Sequence, residues 1–434
     1  MTALVYALGV VLFFLGVMVS IALHEVGHMV PAKKFGVKVT HYFVGFGKTI
    51  WSVKRGDTEY GFKMFPLGGF IKMIGMLPPE QRDANGRAKG FQKGTFGRLI
   101  RDARTLEYEK VTDADQDRLF YRKPWWKKVI VMAGGPSVNV ALAILLLGGV
   151  FIGIGIKTPT LRVNQVDDCV IPASQPVQKC TGSSPASPAV KAQFKAGDKI
   201  LAVNGVAMHG WDQFSQTTRA AADSTLHILV DRSGNHVMLT AHPISNQVSS
   251  LTKPGAYVRA GFLGISPSEV RQRQSIGYVV STMWDYTART GEALVQLPQR
   301  MVGVAKAAVG AQQRDPQSPM SVVGASRVAG EVASDNQIDL SDRLALLLML
   351  LGVVNLFVAL FNFIPLLPLD GGHIAGALYE ALRRAVARLR RRPDPGYADV
   401  AQMLPIAYAI ASVLIVMGVV LIWADIVSPI RLTG

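Results

Sequence analysis

Four stretches of the chain are apolar enough, and long enough, to cross a bilayer, which takes about 20 residues of helix. The first runs from about Leu4 to the His24–His28 segment, and the second from Val129 to Ile156. The third begins near Leu344 and ends around Leu369, and the fourth runs from Leu404 to about Trp423. Between them the period changes. Lys48–Val53 and Thr58–Phe65 flank Lys54-Arg55-Gly56-Asp57, a hairpin signal, with Gly45-Phe46-Gly47 and Pro66-Leu67-Gly68-Gly69 as breakers outside it. Over 160–243 the alternation is that of short strands. Leu226, Ile228 and Val230 alternate, a polar turn follows, and Val237 and Leu239 alternate again. Turns at Gly197-Asp198 and Asn204-Gly205 bracket a strand, and a helix is expected near 211–222.

These patterns predict a polytopic α-helical membrane protein with four transmembrane helices (1–30, 129–156, 343–370 and 404–425). A β segment over 37–73 falls in the loop 31–128, and a compact β-rich module spans 157–245. Residues 80–123 are charged and poorly periodic, which suggests an insertion with a short helix or two. Residues 246–342 read as a linker, in which the small-residue run Ser318–Glu331 is expected to lie along the membrane surface.

Charge orients this arrangement. The chain has 434 residues, 49% of them apolar, and carries a formal charge of +16 from 46 Lys+Arg and 30 Asp+Glu. The excess is concentrated in 31–128 and in the arginine cluster Arg384–Arg392 of the loop 371–403, whereas 157–342 is nearly balanced. The positive-inside rule therefore puts the first two loops in the cytoplasm and the long segment outside. No basic run is interleaved with aromatics as in a single-strand-binding surface, so nucleic acid is not an expected partner. The first basic pair, Lys33-Lys34, follows the first apolar run, the reverse of a cleaved signal, so this run is expected to remain as a span. The only cysteines, Cys169 and Cys180, fall in the outer segment and are suited to a small disulfide-closed loop.

The chemistry concentrates at the ends of two spans. In His24-Glu25-Val26-Gly27-His28 the histidines are four apart, one turn along a helix, so both imidazoles can reach one metal ion. Glu25 projects beside them, placed to take a proton from water. Ionisable groups at the edge of a span are expensive unless they have such a role. A catalytic zinc takes three protein ligands and leaves one position open. The third is expected from Asp370, in the run Asn362 to His373, because spans one and three run in the same direction and end at the same face. His373 ranks second because it lies past Gly371-Gly372, a presumed helix break, and His41 has no helical partner. Pro365 and Pro368 interrupt the third apolar run, and irregular backbone at that depth is tolerated only where it is buried or lines a wet cavity. Asn362 is a candidate for holding water, substrate backbone or the oxyanion. A metal transporter would spread ionisable groups along several spans, which this chain does not do.

These motifs resemble those of the site-2 protease family of intramembrane metalloproteases, of the bacterial regulator-of-sigma-E protease type. HEVGH at 24–28 is similar to its HExxH, and NFIPLLPLDGGH at 362–373 to its N-x-x-P-x-x-x-L-D-G motif. AGGPSVN at 133–139, GFG at 45–47, PLGGFIKM at 66–73 and SPMSVVG at 318–324 carry the likeness along nearly the whole chain. The module after the second span resembles a PDZ domain. The resemblance implies zinc held by His24, His28 and Asp370, with Glu25 as general base. It implies that the membrane-associated β segment, with Gly45, Gly47, Gly68 and Gly69, offers an edge to an unwound substrate, and that Asn362 and Pro365 border that substrate. It further implies a bacterial inner-membrane zinc metalloendopeptidase acting on single-span membrane proteins, such as anti-sigma factors, and on remnant signal peptides. The Cys169/Cys180 insertion departs from the family pattern, and only one PDZ-like module fits where some relatives have two.

Overall fold

The computed structural model describes residues 2–80, 94–109, 111–173, 180, 184–251, 257–315 and 317–430. In chain order its elements are α1 (Thr2–Lys34), the strands β1 (Val39–Arg55) and β2 (Thr58–Met73), then α2 (Gly94–Tyr108) and α3 (Trp125–Gly148). Next come β3 (Ile156–Val166), α4 (Pro188–Lys191), β4 (Lys199–Val203), β5 (Val206–Ala207) and α5 (Trp211–Ala220). They are followed by β6 (Leu226–Arg232), β7 (Asn235–Ala241), β8 (Ile244–Ser249), β9 (Tyr257–Phe262) and β10 (Ile265–Gln272). The chain ends in helices α6 (Ile276–Val295), α7 (Leu297–Ala308), α8 (Val322–Ser334), α9 (Leu340–Asn362), α10 (Asp370–Leu389) and α11 (Leu404–Val427). The chain divides into two compact units, one of 1–150 with 275–432, the other centred on 151–274.

The first unit holds four helices long and apolar enough to cross a membrane: α1, α3 with its π-helical extension to Ile154, α9, and α11 with the turn before it. Each exposes large apolar side chains along its length, as a lipid-facing helix does. In α1, Leu4, Leu8, Val11, Leu12, Leu15 and Val19 form the exposed stripe. The opposite stripe, Gly9, Phe13, Val17, Ser20, His24 and His28, is buried at helical spacing. The two histidines thus continue the packed face of the helix.

Small residues set the approach of its neighbours, as is usual where hydrophobicity cannot drive helices together in lipid. Helix α8 packs against α1, with Gly9 against Ala329, Gly330 and Ala333. Seven of its residues, from Gly324 to Val332, are buried. This segment, expected along the membrane surface, is instead part of the helix core, because its small side chains permit close packing. Helix α3 meets α1 where Gly27 and Gly134 face each other, each too close to the other's carbonyl for a Cβ.

The β1–β2 hairpin turns at Gly56-Asp57. The glycines expected to end its strands do not. Gly45 (φ +95), Gly47 (φ +89) and Gly68 (φ +140) adopt backbone that other residues rarely take, and the pairing shifts register around them. The result is a bent ribbon. Val39–Val44 pairs with Gly69–Met73 on one side and with Glu59–Phe62 on the other, which leaves Gly69–Met73 as an outer edge.

The second unit is built on a sheet in the order β10-β3-β4-β6-β7, with β8–β9 as a separate hairpin. Leu226, Ile228 and Val230 point into its core with Phe214, Ile200 and Leu263. The unit extends past the expected limit at 245, because β10 returns to pair with β3. The two strands lie at opposite ends of the module in sequence, so no local pattern reveals that pairing. Cys169 and Cys180 are joined in a disulfide.

Candidate metal centre

Helix α1 carries His24 and His28 with their rings 4.8 Å apart and edge-on to each other. Both rings are oriented from behind. His24 Nδ1 lies 3.0 Å from Asn139 Oδ1, and His28 Nδ1 lies 2.8 Å from the Val131 carbonyl oxygen, both on α3. An amide or carbonyl oxygen only accepts, so each Nδ1 carries a proton and each ring turns its Nε2 outward.

Asp370 comes from the other side. It opens α10, which is fixed on α3 by a buried ion pair: Lys128 Nζ lies 2.7 Å from Glu380 Oε2. The seven residues between α9 and α10 turn the chain so that Asp370 points back at α1. Here the expected glycine break is not a break. Gly371 and Gly372 lie inside α10, and a Cβ on either would strike the backbone of the preceding Phe363–Leu367 turn. Their size is what lets the helix start against that turn, and His373 follows within the same helix.

The three ligand atoms converge. His24 Nε2 and His28 Nε2 are 3.2 Å apart, and Asp370 Oδ2 lies 3.4 Å and 3.3 Å from them. A tetrahedral metal with bonds of about 2.0–2.1 Å holds its ligands about 3.3 Å apart, the spacing found here. Asp370 Oδ2 is buried, and no described residue donates a hydrogen bond to it. Two nitrogen lone pairs and a carboxylate oxygen crowded together are repulsive unless a cation lies among them. Gly135 on α3 keeps this space open, since a Cβ there would collide with both Nε2 atoms. No other group of three or more such residues clusters like this among the described residues. The donor set, two imidazoles and one carboxylate, suits a borderline cation such as zinc.

The cluster opens into a cavity of about 400 Å³. Glu25, Asn362, Gly69, Pro368 and His373 share its lining with the three ligand residues. The outer β edge runs past Glu25: Gly69 abuts its Cγ, and the Ile71 amide faces its carboxylate. Asn362 lines the cavity, and its Nδ2 donates to the Val358 carbonyl at 3.1 Å. Gly45, Gly47, Gly68 and Pro365 are not among the cavity-lining residues. The glycines shape the ribbon, and Pro365 is exposed. Sequence reasoning gave no role to Val131 or Met76 and saw Asn139 only as part of a motif. A backbone carbonyl leaves no trace in a side-chain pattern.

A model of peptidase family M50 matches residues 12–393. The zinc metalloprotease Rip1 of Mycobacterium tuberculosis is 31% identical over 99% of this chain and 100% of its own length. Rip1 of Mycolicibacterium smegmatis is 29% identical over the same shares. The metalloprotease MmpA of Caulobacter vibrioides is 24% identical over 87% of each chain.

Proposed function

Because the chain belongs to peptidase family M50, we propose that it cuts peptide bonds within or beside the membrane-spanning segments of single-span membrane proteins. It is a zinc metalloprotease. The observation that carries the finer reading is the meeting of His24, His28 and Asp370 next to Glu25 on helices that can cross a membrane. His24, His28 and Asp370 would hold zinc, which when bound supplies Lewis acidity toward water and a carbonyl oxygen.

The remaining chemistry belongs to the chain. Glu25 accepts the proton of the attacking water and returns it to the departing amine. Asn139 and the Val131 carbonyl keep the two imidazoles in the tautomer that presents Nε2. A substrate helix has its backbone groups paired internally and must unwind to be cut. The open edge Gly69–Met73 is suited to pairing with the extended strand that results. Asn362 donates to a carbonyl of that strand.

In this reading the centre faces the cytoplasmic side of a bacterial inner membrane, with 151–274 as an outer PDZ-like module. Anti-sigma factors and remnant signal peptides are the proposed substrates. Two features support the orientation: the arginine cluster behind α10 and the disulfide in the module. The test is Glu25→Gln, assayed on a single-span reporter with zinc content measured alongside. Cleavage is expected to fall by about 10²–10⁴-fold with about one zinc per chain retained. Undiminished cleavage by the zinc-loaded variant removes Glu25 as the base.

A further inference from the structure

Met76 lines the cavity of the metal centre and also a smaller chamber, whose lining it shares with Lys128 and Glu380. It lies just past the end of β2, in backbone that no strand pairing fixes. The Ile74 and Gly75 carbonyls before it accept from the Phe120 and Tyr121 amides, and from Met76 onward one helix holds the segment. Glu107 Oε1 accepts from the Met76 amide at 2.9 Å. The Tyr108 hydroxyl donates to the Leu77 carbonyl at 2.7 Å, and Arg104 Nε donates to the Pro78 carbonyl at 3.0 Å. Three consecutive residues of the cavity segment are thus pinned by three side chains of α2. The helix is anchored in turn, since Arg104 Nη2 donates to both carboxylate oxygens of Asp399, at 2.6 and 2.7 Å. Gly97, Ile100 and Arg104 form its buried face at helical spacing.

None of these bonds serves the metal or Glu25. The sequence showed α2 only as part of a charged insertion, and the reaction needs no such helix. What α2 fixes is the wall. A methionine is flexible and fills irregular space, so it selects by shape only if its backbone is held. We infer that α2 is a strap that sets Met76 into the cavity wall, so that Arg104 and Glu107 act through it as positioning residues that restrict the substrate side chain beside the cut bond. The selectivity part of this inference rests on the protease reading above; the strap itself does not.

Two measurements separate them. In the first, Met76→Cys is made in the full chain, whose two native cysteines are paired with each other, and its maleimide labelling rate is followed in detergent. Adding Arg104→Ala or Glu107→Ala is expected to raise that rate at least about tenfold, as expected when hydrogen bonds to charged groups are lost. A rate unchanged within about twofold in both single variants, with zinc content intact, overturns the strap. Glu107→Ala leaves the Arg104–Asp399 pair in place and serves if Arg104→Ala does not fold.

In the second, two reporters differ only in having Ala or Phe beside the cut bond. The wild type is expected to prefer Ala. Met76→Ala and Arg104→Ala should both lower the Ala/Phe ratio of kcat/KM by at least about fivefold, whereas simple destabilisation lowers both reporters alike. An unchanged ratio alongside faster labelling overturns the selectivity role and leaves the strap.

Discussion

Asp425 and Asp370 lie at helix ends in the membrane-spanning unit, the first buried and the second partly buried with its Oδ2 inside, and their surroundings differ sharply. Arg314 Nη2 lies 2.6 Å from Asp425 Oδ1. Asp425 Oδ2 accepts from the Ser321 amide, the Ser321 hydroxyl and the Gly324 amide, at 2.7, 2.6 and 3.2 Å. Arg314 spends its remaining donors on Ser318, Pro319 and Ser428. That carboxylate is neutralised and fully bonded, and it ties the start of α8 to the end of α11. Asp370 faces two imidazole nitrogens, and its Oδ2 accepts no hydrogen bond from any described residue. A buried charge costs several kcal/mol unless it is paired. The protein closes one site itself and leaves the other able to take an ion. The carboxylate set among oriented histidines, whose Oδ2 accepts no hydrogen bond, is therefore the informative one, whereas the better-bonded aspartate is architecture.

Substitutions can break this comparison from either side. The largest effect is expected for Asp370→Ala, which should remove both zinc and cleavage. Metal analysis of the purified variant checks it, and a full complement of zinc would mean that Asp370 is not a ligand. Asp425→Ala should do the opposite, leaving Arg314 buried and unpaired at a cost of about 3–5 kcal/mol while zinc stays bound. Thermal unfolding in detergent with parallel zinc analysis reads both quantities, and an unchanged midpoint would contradict the architectural role. Asn139→Ala sharpens the contrast with the smallest effect. It frees the His24 ring without touching a ligand atom, so zinc affinity should fall by about 10–100-fold. Competition with a chelator measures it.

Much of this was legible in the chain, and the pattern of what was not has physical causes. Residues on one helix are related by a fixed period, so His24, Glu25 and His28 could be placed together from spacing alone. Asp370 needed a motif and the parity of the spans, because a contact between helices leaves no period. Gly371-Gly372 misled because a glycine pair reads as a break, whereas here missing side chains allow a helix to begin against a turn. Ser318–Glu331 misled for a related reason. Small residues look like surface in a hydropathy profile but are the packing residues of helices in lipid. The strap was hidden because its bonds run from side chains to backbone oxygens and an amide, which no residue pattern encodes.

The candidate ligands come from two helices far apart in the chain, two from α1 and one from the start of α10. An ion held by all three is therefore a rivet between distant parts of the chain, and its affinity measures how well those parts are assembled. By linkage, whatever loosens α10 from α3, or α3 from α1, must weaken ion binding, and saturation with the ion must stiffen the bundle. A chelator titration then becomes a strain gauge for the helix assembly, readable without any substrate.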